Sequence, residues 1–376
     1  MRLVQRMTEF GTTIFAEMSA LAVATGSINL GQGFPDTDGP AELLDAAAEA
    51  IRTGHNQYPP GPGVPELRQA ISDHQRRRYG LDYDLAAEVL VTAGATEAIA
   101  AALLALTQPG DEVVLFEPYY DSYAACVALA GATRRTVTIE RDGGGWGFDP
   151  AALHRAITTN TRAIVLNTPH NPTGTVFDQG QLEAVADAAR EHDLAVISDE
   201  VYEHLIFDGR AHTPIATLPG MRDRTVTISS AGKTFSVTGW KIGWACAPPE
   251  LITAVRSVKQ FLTYVNGAPF QPAVAQALDS AEKLAPAARL QHQRDLLCDG
   301  LEDLGYDVVR PQATYFATVD VGADAVAFCR ELPTTKGVVA IPSSVFYDSG
   351  AGDHYVRFAF CKRPEVLHQA LERLRR

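Results

Sequence analysis

The feature that most limits the fold is an alternation, from about residue 88 onward, of short apolar runs with segments of helical pattern. Because the runs are apolar throughout rather than at every second position, each predicts a strand that is buried on both faces. Strands of this kind, separated by helices, form mostly parallel sheets covered by helices on both sides. The sequence therefore predicts an α/β large domain around a seven-stranded sheet, with strands near 88–92, 112–116, 135–139, 163–167, 195–198, 225–228 and 240–247.

The pattern changes after about residue 270. A long helical pattern, interrupted near Pro286, covers residues 271–304. Further elements follow as strands at 315–321, 338–341 and 355–360 and a last helix at 365–375. This grouping predicts a smaller α+β domain and a ligand cleft between the two domains. We expect three segments: 1–32 as an N-terminal arm and part of the small domain, 33–275 as the large domain, and 276–376 as the small C-terminal domain.

The composition argues against several classes of protein. The 376 residues are 46% hydrophobic and 20% charged, as in a folded globular protein. A net charge of −13 argues against nucleic-acid binding, which needs clustered basic residues. We expect no signal peptide and no membrane span, since no apolar run approaches roughly 18 residues. The five cysteines are scattered without a CxxC pair, which predicts reduced thiols and a cytoplasmic location.

The chain has only six lysines, and the first of them, Lys233, follows a strand pattern in the loop Ser230-Ala231-Gly232-Lys233. Unlike arginine, a lysine can lose its proton near neutral pH and attack a carbonyl carbon as a free amine. A loop of small residues leaves room for a bulky reaction partner. Lys233 is therefore a candidate nucleophile.

Other distinctive residues also stand just after predicted strands, at the sheet edge where open α/β proteins bind ligands. Gly94-Ala95-Thr96 opens a helix whose free N–H groups suit a phosphate, with an ordinary tight turn as the alternative. Tyr120 suits stacking on a planar ring, with packing in the core as the alternative. Tyr119 and Tyr123 compete with it for the stacking role.

Three further residues each allow two interpretations. Asn171 begins Asn171-Pro172-Thr173-Gly174, which has the composition of a turn. Asp199 ends a buried strand pattern and needs a cationic partner, which a structural salt bridge would also provide. Arg357 lies among apolar strand residues, where it either clamps a carboxylate or lies on the exposed face of an alternating strand.

Taken together, these residues suit one cofactor. A planar, phosphorylated aldehyde needs a phosphate cradle, a stacking ring, an anion beside a pyridinium nitrogen and an amine for a Schiff base. The chain supplies them at strand ends as Gly94-Ala95-Thr96 with Ser230, Tyr120, Asp199 and Lys233. The set predicts pyridoxal 5′-phosphate (PLP), and the pairing of a lysine with an aspartate is its specific part.

The chain closely resembles the class I PLP-dependent aminotransferases of fold type I. Within that family it is most similar to the branch with kynurenine and methionine aminotransferases, cysteine-conjugate β-lyases and N-succinyldiaminopimelate aminotransferases. The resemblance covers about residues 10–365 in family order. It rests on Gly31-Gln32-Gly33-Phe34-Pro35-Asp36, Asn56-Gln57-Tyr58-Pro59-Pro60-Gly61-Pro62-Gly63, Gly94-Ala95-Thr96-Glu97, Asn167-Thr168-Pro169-His170-Asn171-Pro172-Thr173-Gly174, Ser198-Asp199-Glu200-Val201-Tyr202, Ser230-Ala231-Gly232-Lys233 and Arg357.

The resemblance implies a role for each matching residue. Lys233 forms the Schiff base and later moves the substrate Cα proton, and Asp199 pairs with the pyridinium nitrogen. Tyr202 and Asn171 bind the cofactor phenolate oxygen, and Tyr120 stacks on the ring. The implied phosphate ligands are Gly94, Ala95, Thr96, Ser230, Lys241 and, from the neighbouring subunit of a homodimer, Tyr58. The implied substrate ligands are Arg357, Asn171, Gly33, Phe15 and Tyr58.

Lys241 departs from the pattern of many relatives, which have arginine at this position. Both side chains are cationic, but lysine lacks the bidentate fork of a guanidinium. We expect Lys241 to bind the phosphate and Lys233 to remain the Schiff-base lysine.

The resemblance also implies an aminotransferase that moves an amino group from an L-amino acid to a 2-oxo acid such as 2-oxoglutarate. No basic residue occurs in 261–280, where dicarboxylate-specific relatives place an arginine from the partner subunit. A neutral, aromatic or sulfur-containing donor is therefore favoured, in agreement with the candidate pocket residues Phe15, Phe34, Tyr58, Tyr264 and Phe270.

Three alternatives stay open at this point. The donor could be N-succinyl-L,L-diaminopimelate, or the reaction could be carbon–sulfur β-elimination from a cysteine conjugate. A non-catalytic PLP-binding regulator is disfavoured, because regulators of this type carry a DNA-binding domain before the fold. Here only about 30 residues precede Gly31, and the chain is acidic.

Overall fold

The computed structural model describes residues 4–11, 13–142, 145–279 and 286–376. Within these residues the chain forms thirteen α-helices, numbered α1 to α13 in chain order: Ile14–Thr25, Ala41–Arg52, Pro65–Tyr79, Gly94–Leu106, Asp121–Ala130, Pro150–Ala156, Gln179–Glu191, Ala231–Thr234, Pro249–Leu262, Phe270–Leu278, Pro286–Asp303, Ala325–Thr335 and Pro364–Arg375.

The same residues form fifteen β-strands, numbered β1 to β15: Ile28–Asn29, Val89–Ala93, Glu112–Glu117, Thr133–Thr138, Glu140–Asp142, Gly145–Gly147, Thr161–Asn167, Ala195–Asp199, Thr225–Ser230, Ile242–Cys246, Asp307–Val309, Phe316–Asp320, Val338–Val339, Ile341–Pro342 and Tyr355–Ala359.

Seven strands form the large sheet in the order β2-β10-β9-β8-β7-β3-β4. The five strands from β9 to β4 pair in parallel, and β10 alone runs antiparallel to both of its neighbours. Every residue of β9 and β10 is buried, although β9 alternates threonine with apolar residues and ends in two serines. The predicted mostly parallel, seven-stranded sheet is confirmed.

The direction of β10 brings its first residues to the edge where the parallel strands end. The sequence predicts this strand over 240–247, but it begins only at Ile242, because Thr238–Trp240 forms a 3₁₀ helix. Lys241 joins the two elements in the left-handed region, with φ 54°. Because Ile242 pairs with Ala93, Lys241 lies beside Gly94 at the sheet edge.

Helix boundaries differ slightly from the sequence pattern where a cap decides them. The pattern predicts a helix over 181–192, whereas α7 begins at Gln179. Asp178 accepts a hydrogen bond from the backbone N–H of Gln181 at 2.8 Å, and the Gln181 side chain accepts one from the Asp178 N–H at 2.9 Å. This reciprocal capping box fixes the start of the helix.

The second sheet contains four antiparallel strands in the order β11-β12-β15-β14. The predicted strand at 338–341 is two separate strands, since β13 pairs with the N-terminal β1 while β14 pairs with β15. One buried cluster contains Met18, Leu30, Leu297, Phe358 and Leu367, so the N-terminal arm shares its core with the C-terminal elements. The helical pattern predicted over 271–304 is two helices, α10 and α11, and α11 begins at Pro286, while residues 280–285 lie outside the described residues.

None of the described helices has both the length and the apolar character needed to cross a bilayer. All five cysteines are buried and carry free thiols.

Candidate active site

A cavity of about 420 Å³ opens at the carboxyl ends of the large-sheet strands and is closed on its other side by Phe316 and Arg357 of the second sheet. Its position agrees with the rule that open α/β sheets bind ligands at this edge. Of the predicted site residues, all except Tyr58 line it: Phe15, Gly33, Gly94, Ala95, Thr96, Tyr120, Asn171, Asp199, Tyr202, Ser230, Lys233, Lys241 and Arg357.

The amine of Lys233 lines this cavity and binds Tyr315, the residue that precedes β12 of the second sheet. Its Nζ donates a hydrogen bond to the hydroxyl of Tyr315 at 2.8 Å, and that hydroxyl donates to the carbonyl oxygen of Gly33 at 2.7 Å. Burial lowers the pKa of Lys233 to about 8, so roughly a tenth of the amine is unprotonated at pH 7. Tyr315 was not predicted as a site residue.

The carboxylate of Asp199 lies at the end of β8 with only 4% of the residue exposed. The hydroxyl of Tyr123 donates to Oδ2 at 2.6 Å, and the backbone N–H of Val201 donates to Oδ1 at 3.3 Å. Burial raises the pKa of Asp199 to about 6, while these two donors oppose the rise. The group is therefore an anion at pH 7, although no arginine or lysine of the described residues forms an ion pair with it.

An anion cradle forms where β2 turns into α4. Gly94 has φ +73°, and the Nζ of Lys241 is only 3.1 Å from the position that a Cβ on Gly94 would occupy. The first N–H groups of α4 lack partners within the helix, and the helix dipole makes this end positive. Together with Ser230, these groups suit a phosphate.

The cradle depends on a close approach between β10 and the start of α4. A Cβ on Gly243 would lie 2.5 Å from the carbonyl carbon of Gly94 and 2.7 Å from the backbone nitrogen of Ala95. Both of those atoms belong to the backbone and cannot rotate away. Glycine is therefore needed at this position for a steric reason.

We expect Gly243→Ala to weaken PLP binding at least about tenfold and to lower the free energy of unfolding by about 1–3 kcal/mol, because the added methyl group must push the cradle apart. Fluorescence titration of the apoenzyme and denaturant unfolding measure the two effects. Gly239→Ala is the matched control, since a Cβ there meets nothing within 4 Å. Equal PLP affinity in the two variants would contradict the steric argument.

Arg357 enters the cavity from β15 and carries an unsatisfied charge. Its Nη1 donates to Oδ1 of Asn171 at 3.2 Å and its Nη2 donates to the carbonyl oxygen of Gly31 at 3.1 Å. Among the described residues its Nε has no hydrogen-bond partner. Burial lowers its pKa to about 10, so it remains a cation at neutral pH. A buried cation with only neutral hydrogen-bond partners is stabilised by an incoming anion.

Aromatic rings enclose the Arg357 guanidinium. Its central carbon lies 4.0 Å from the ring centre of Phe316, 4.9 Å from that of Phe346 and 5.3 Å from that of Phe15. These rings orient the guanidinium and exclude water from one side of it. The alternative of an exposed arginine on an alternating strand is wrong, since all five residues of β15 are buried.

The loop after β7 is held by Asn167. Its Oδ1 accepts a hydrogen bond from the backbone N–H of Asn171 at 2.8 Å, and its Nδ2 donates to the carbonyl oxygen of Asp199 at 2.8 Å. One side chain thus fixes the ends of two neighbouring strands relative to each other. Asn167 belongs to one of the sequence motifs but was not predicted as a site residue. Its position at the end of a strand is the signal that could have identified it as one.

The three candidate stacking tyrosines have separate partners. The hydroxyl of Tyr119 donates to Asp348 at 2.6 Å, and that of Tyr123 donates to Asp199. Tyr120 lines the cavity, with its ring 5.7 Å from and perpendicular to that of Tyr123. Tyr120 is therefore the one of the three whose ring is free of a carboxylate partner and faces the cavity.

A buried polar network lies directly behind the site. Glu203 accepts hydrogen bonds from Ser229 at 2.5 Å and from Tyr79 at 2.7 Å. His204 binds Thr234 through Nδ1 at 3.0 Å and His74 through Nε2 at 2.9 Å. Burial lowers the pKa of His204 to about 4, so its ring is neutral at pH 7.

This network ties the residues after Tyr202 to the neighbours of Ser230 and Lys233. Ser229 precedes Ser230, and Thr234 follows Lys233. His74, Glu203 and His204 lie close enough together to share an ion. However, both carboxylate oxygens of Glu203 accept hydrogen bonds and the two imidazoles bind each other, so hydrogen bonding accounts for the cluster.

The predicted side-chain pocket is only partly formed by one chain. Phe15 and Phe34 line the cavity. Phe270 does not line it and instead stacks on Trp240, with 4.6 Å between the ring centres. Tyr58 is 81% exposed, and its ring lies 5.5 Å from that of the half-exposed Tyr264. Tyr58 thus makes no contribution to the cavity of its own chain, and its proposed role lies across a subunit boundary.

The sheet order and the cavity define a class of enzyme in which a buried lysine, a buried aspartate and an anion cradle face one another. The chain belongs to the family described as aminotransferase class I and II, whose model matches residues 25–374. It is therefore an enzyme that transfers nitrogenous groups, in a family that is generally PLP-dependent.

Similar proteins carry several names. A Mycobacterium tuberculosis protein named "Probable N-succinyldiaminopimelate aminotransferase" is 53% identical, with 99% of this chain and 97% of that protein covered. The Escherichia coli methionine aminotransferase is 40% identical, with 98% of this chain and 97% of that protein covered. A solved structure of N-succinyldiaminopimelate aminotransferase from M. tuberculosis superposes with a TM-score of 0.97 at 53% identity and covers 100% of this chain and 99% of its own.

Proposed function

We propose that this aminotransferase uses PLP to move an amino group from a neutral, aromatic or sulfur-containing L-amino acid to a 2-oxo acid. The observation that carries the proposal is the cavity itself. Its lining includes the Lys233 amine, the buried Asp199 carboxylate and the buried Arg357 guanidinium, which binds only neutral partners among the described residues. The amine matches the carbonyl group of PLP, the anion matches its ring nitrogen, and the cation matches the α-carboxylate of the substrate.

The residues present fit PLP group by group. Asp199 suits the pyridine nitrogen, because the carboxylate is an anion at pH 7 with space for a further hydrogen-bond donor in the cavity. The Gly94-Ala95-Thr96 turn with Ser230 and Lys241 suits the phosphate. Tyr120 suits the face of the ring, and Tyr202 and Asn171 suit its phenolate oxygen.

When bound, PLP supplies an electron sink that acidifies the substrate Cα–H bond. Asp199 would keep the ring nitrogen protonated, because its charge favours the cationic form of that nitrogen. Lys233 is the residue that would hold the cofactor covalently. Its Nζ, when free, would move the proton at the substrate Cα, and a pKa of about 8 suits this role near neutral pH.

Arg357 orients the substrate, which requires its α-carboxylate to meet the two N–H groups of a guanidinium in parallel. Asn171, held by Asn167, would provide a neighbouring donor, and Gly33 would provide backbone contact. A Cβ at Gly33 would come within 2.4 Å of the Phe316 ring, so the chain can pass this close to that ring only as glycine.

Two alternatives remain. The 53% identity to a protein named for N-succinyldiaminopimelate favours that donor, although the cavity lacks a cation beyond Lys233, Lys241 and Arg357 for its distant carboxylates. Carbon–sulfur β-elimination starts from the same loss of the Cα proton. Release of pyruvate from a cysteine conjugate with no 2-oxo acid present would identify it.

A donor panel tests the proposal. The ratio kcat/KM is measured with 2-oxoglutarate for kynurenine, methionine, phenylalanine, aspartate and N-succinyl-L,L-diaminopimelate. We expect the best neutral donor to exceed aspartate by at least about tenfold, since a buried side-chain carboxylate would lack a partner. A highest value for N-succinyl-L,L-diaminopimelate would replace our proposal with that alternative.

We propose a homodimer with shared active sites. Its support is the exposed pair of rings Tyr58 and Tyr264, together with Phe261, which is 84% exposed and lies three residues before Tyr264 in the chain. Exposed clusters of large apolar residues mark interaction surfaces. If Tyr58 binds the PLP phosphate in the neighbouring subunit, the active enzyme is a dimer. Analytical ultracentrifugation should then detect a dimer at the concentrations that give full activity. An active monomer would contradict this proposal.

We also propose the domain division 1–32, 33–275 and 276–376. The parallel pairing of Ile28–Asn29 with Val338–Val339 supports the assignment of the N-terminal arm to the small domain. A fragment of residues 33–275 that failed to fold while the whole chain folded would contradict an independent large domain. A cytoplasmic location is proposed from the five free, buried cysteines, and cell fractionation checks it.

A further inference from the structure

Among the described residues that line the cavity, Asp121 is the one charged residue that the proposed function leaves without a role. It directly follows Tyr120 as the first residue of α5 and lines the same cavity. The residue is partly buried, and burial raises the pKa of its carboxyl group while nearby backbone N–H groups and Arg357 oppose the rise. Arg357 acts on it at a distance, because these two residues form no ion pair.

The charges around the cavity can be assigned one by one. Under the proposed function, Lys233 binds the cofactor carbonyl, Lys241 its phosphate, Asp199 its ring nitrogen and Arg357 the substrate α-carboxylate. Among the arginine, lysine, aspartate and glutamate side chains that line the cavity, Asp121 alone remains. The cavity lining therefore includes one negative charge that the proposed function leaves unused, and Arg357, which is assigned to the α-carboxylate, is the cation that acts on it.

We propose that Asp121 is a specificity-determining residue that selects against a second carboxylate on the substrate, whether it is the amino donor or the 2-oxo acid. This inference rests on the proposed function. A side-chain carboxylate entering the cavity would meet a like charge with no cation left to offset it. At separations of several ångströms in a partly buried site, such repulsion amounts to a few kcal/mol at most.

The inference extends to both half-reactions, because donor and acceptor bind in the same cavity. 2-Oxo acids with a neutral side chain are then better acceptors than 2-oxoglutarate. The two extra carboxylates of N-succinyl-L,L-diaminopimelate make it a poor donor. A cation of the partner subunit would have to lie outside residues 261–280 to change this, because that segment has none.

A purely structural role for Asp121 is the competing explanation. An acidic residue in the first turn stabilises a helix through its dipole, and the backbone N–H groups of Asp121 and Ser122 do lower its pKa. Such a role would change stability but would not change the preference between two substrates of the same shape. The test therefore compares glutamine with glutamate, which differ in side-chain charge and hardly in shape.

The experiment measures kcat/KM for glutamine and for glutamate in the PLP-loaded wild type and in Asp121→Asn. The acceptor is a 2-oxo acid whose side chain is uncharged. We expect the wild type to prefer glutamine and the variant to lose about tenfold of that preference. Asp121→Ser is a second variant that also removes the charge and suits a helix start, in case the asparagine variant fails to fold.

Two controls separate the effect from a general change. Asp121→Glu keeps the charge, and Asp45→Asn removes one charge from the exposed face of α2, so both should retain the wild-type preference. An unchanged preference in folded Asp121→Asn or Asp121→Ser would overturn the role of Asp121 while transamination itself stands. If the wild type showed no transamination with any pair of amino donor and 2-oxo acid, whatever the charge of their side chains, the proposed function itself would be overturned.

Discussion

Replacement of Lys233 by alanine is expected to abolish covalent attachment of PLP and to reduce transamination by about four orders of magnitude or more. The methyl group that remains can neither form a bond to the cofactor carbonyl nor move the substrate Cα proton. Mass spectrometry after borohydride reduction measures the attachment without any need for activity. Attachment at another residue would show that Lys233 had been wrongly assigned.

Lys241→Ala is the matched control, since Lys241 is the other lysine that lines the cavity. It should weaken PLP binding through the loss of a phosphate contact, yet retain covalent attachment to Lys233 at saturating PLP. The pKa of Lys233, lowered to about 8 by burial, adds a pH dependence. The unprotonated amine predominates above that value, so attachment to the apoenzyme should slow as the pH falls through about 8. A rate that rose on acidification would contradict the low pKa.

The large sheet was predictable because two sequence signals indicate its strands, namely the apolar runs and the turn residues that follow them. Val89–Ala93, Thr161–Asn167 and Ala195–Asp199 all lie within a few residues of their predicted positions. The direction of Ile242–Cys246 was not predictable, because an apolar run does not encode which way a strand pairs. That direction places Lys241 next to Gly94.

The site was predictable where a residue follows a strand, and unpredictable where it arrives from a distant part of the chain. Asp199, Ser230 and Lys233 belong to the first kind. Tyr315 belongs to the second, since it directly precedes β12 of the other sheet and reaches Lys233 only through the packing of the two sheets. Tyr123 was considered as a stacking ring, and its hydrogen bond to Asp199 could not be read from spacing.

Substrate preference is the property that the shared motifs leave open, because each motif residue binds a group common to every amino acid or to the cofactor. Under the proposed function, the features that differ between donors would face the cavity residues Phe15, Phe34 and Asp121 and, across the proposed dimer boundary, Tyr58. Relatives named for methionine and for N-succinyldiaminopimelate can therefore both be similar over nearly the whole chain. Charge in this part of the cavity separates the two, since one donor is neutral beyond the α-carbon and the other is not.

Arg357→Ala is expected to raise KM for amino acids about 100-fold, which corresponds to ~2.7 kcal/mol, while the dissociation constant of PLP changes by no more than about threefold. The reason is the isolation of the guanidinium. It is buried among aromatic rings, and its Nε finds no partner in the described part of the chain, so a substrate carboxylate would supply its only anionic contact. Steady-state kinetics and PLP titration separate the two effects.

Two further variants keep this prediction specific. Arg357→Lys retains the charge but not the two parallel donors, so its KM should fall between those of the wild type and the alanine variant. Arg294→Ala removes another buried arginine, which pairs with Asp208 at 2.5 Å outside the cavity. It should lower stability and leave KM unchanged, because its carboxylate partner belongs to the protein. If folded Arg357→Ala kept the wild-type KM, the substrate carboxylate would have to bind elsewhere, and the assignment of every remaining charge in the cavity, Asp121 included, would have to be made again.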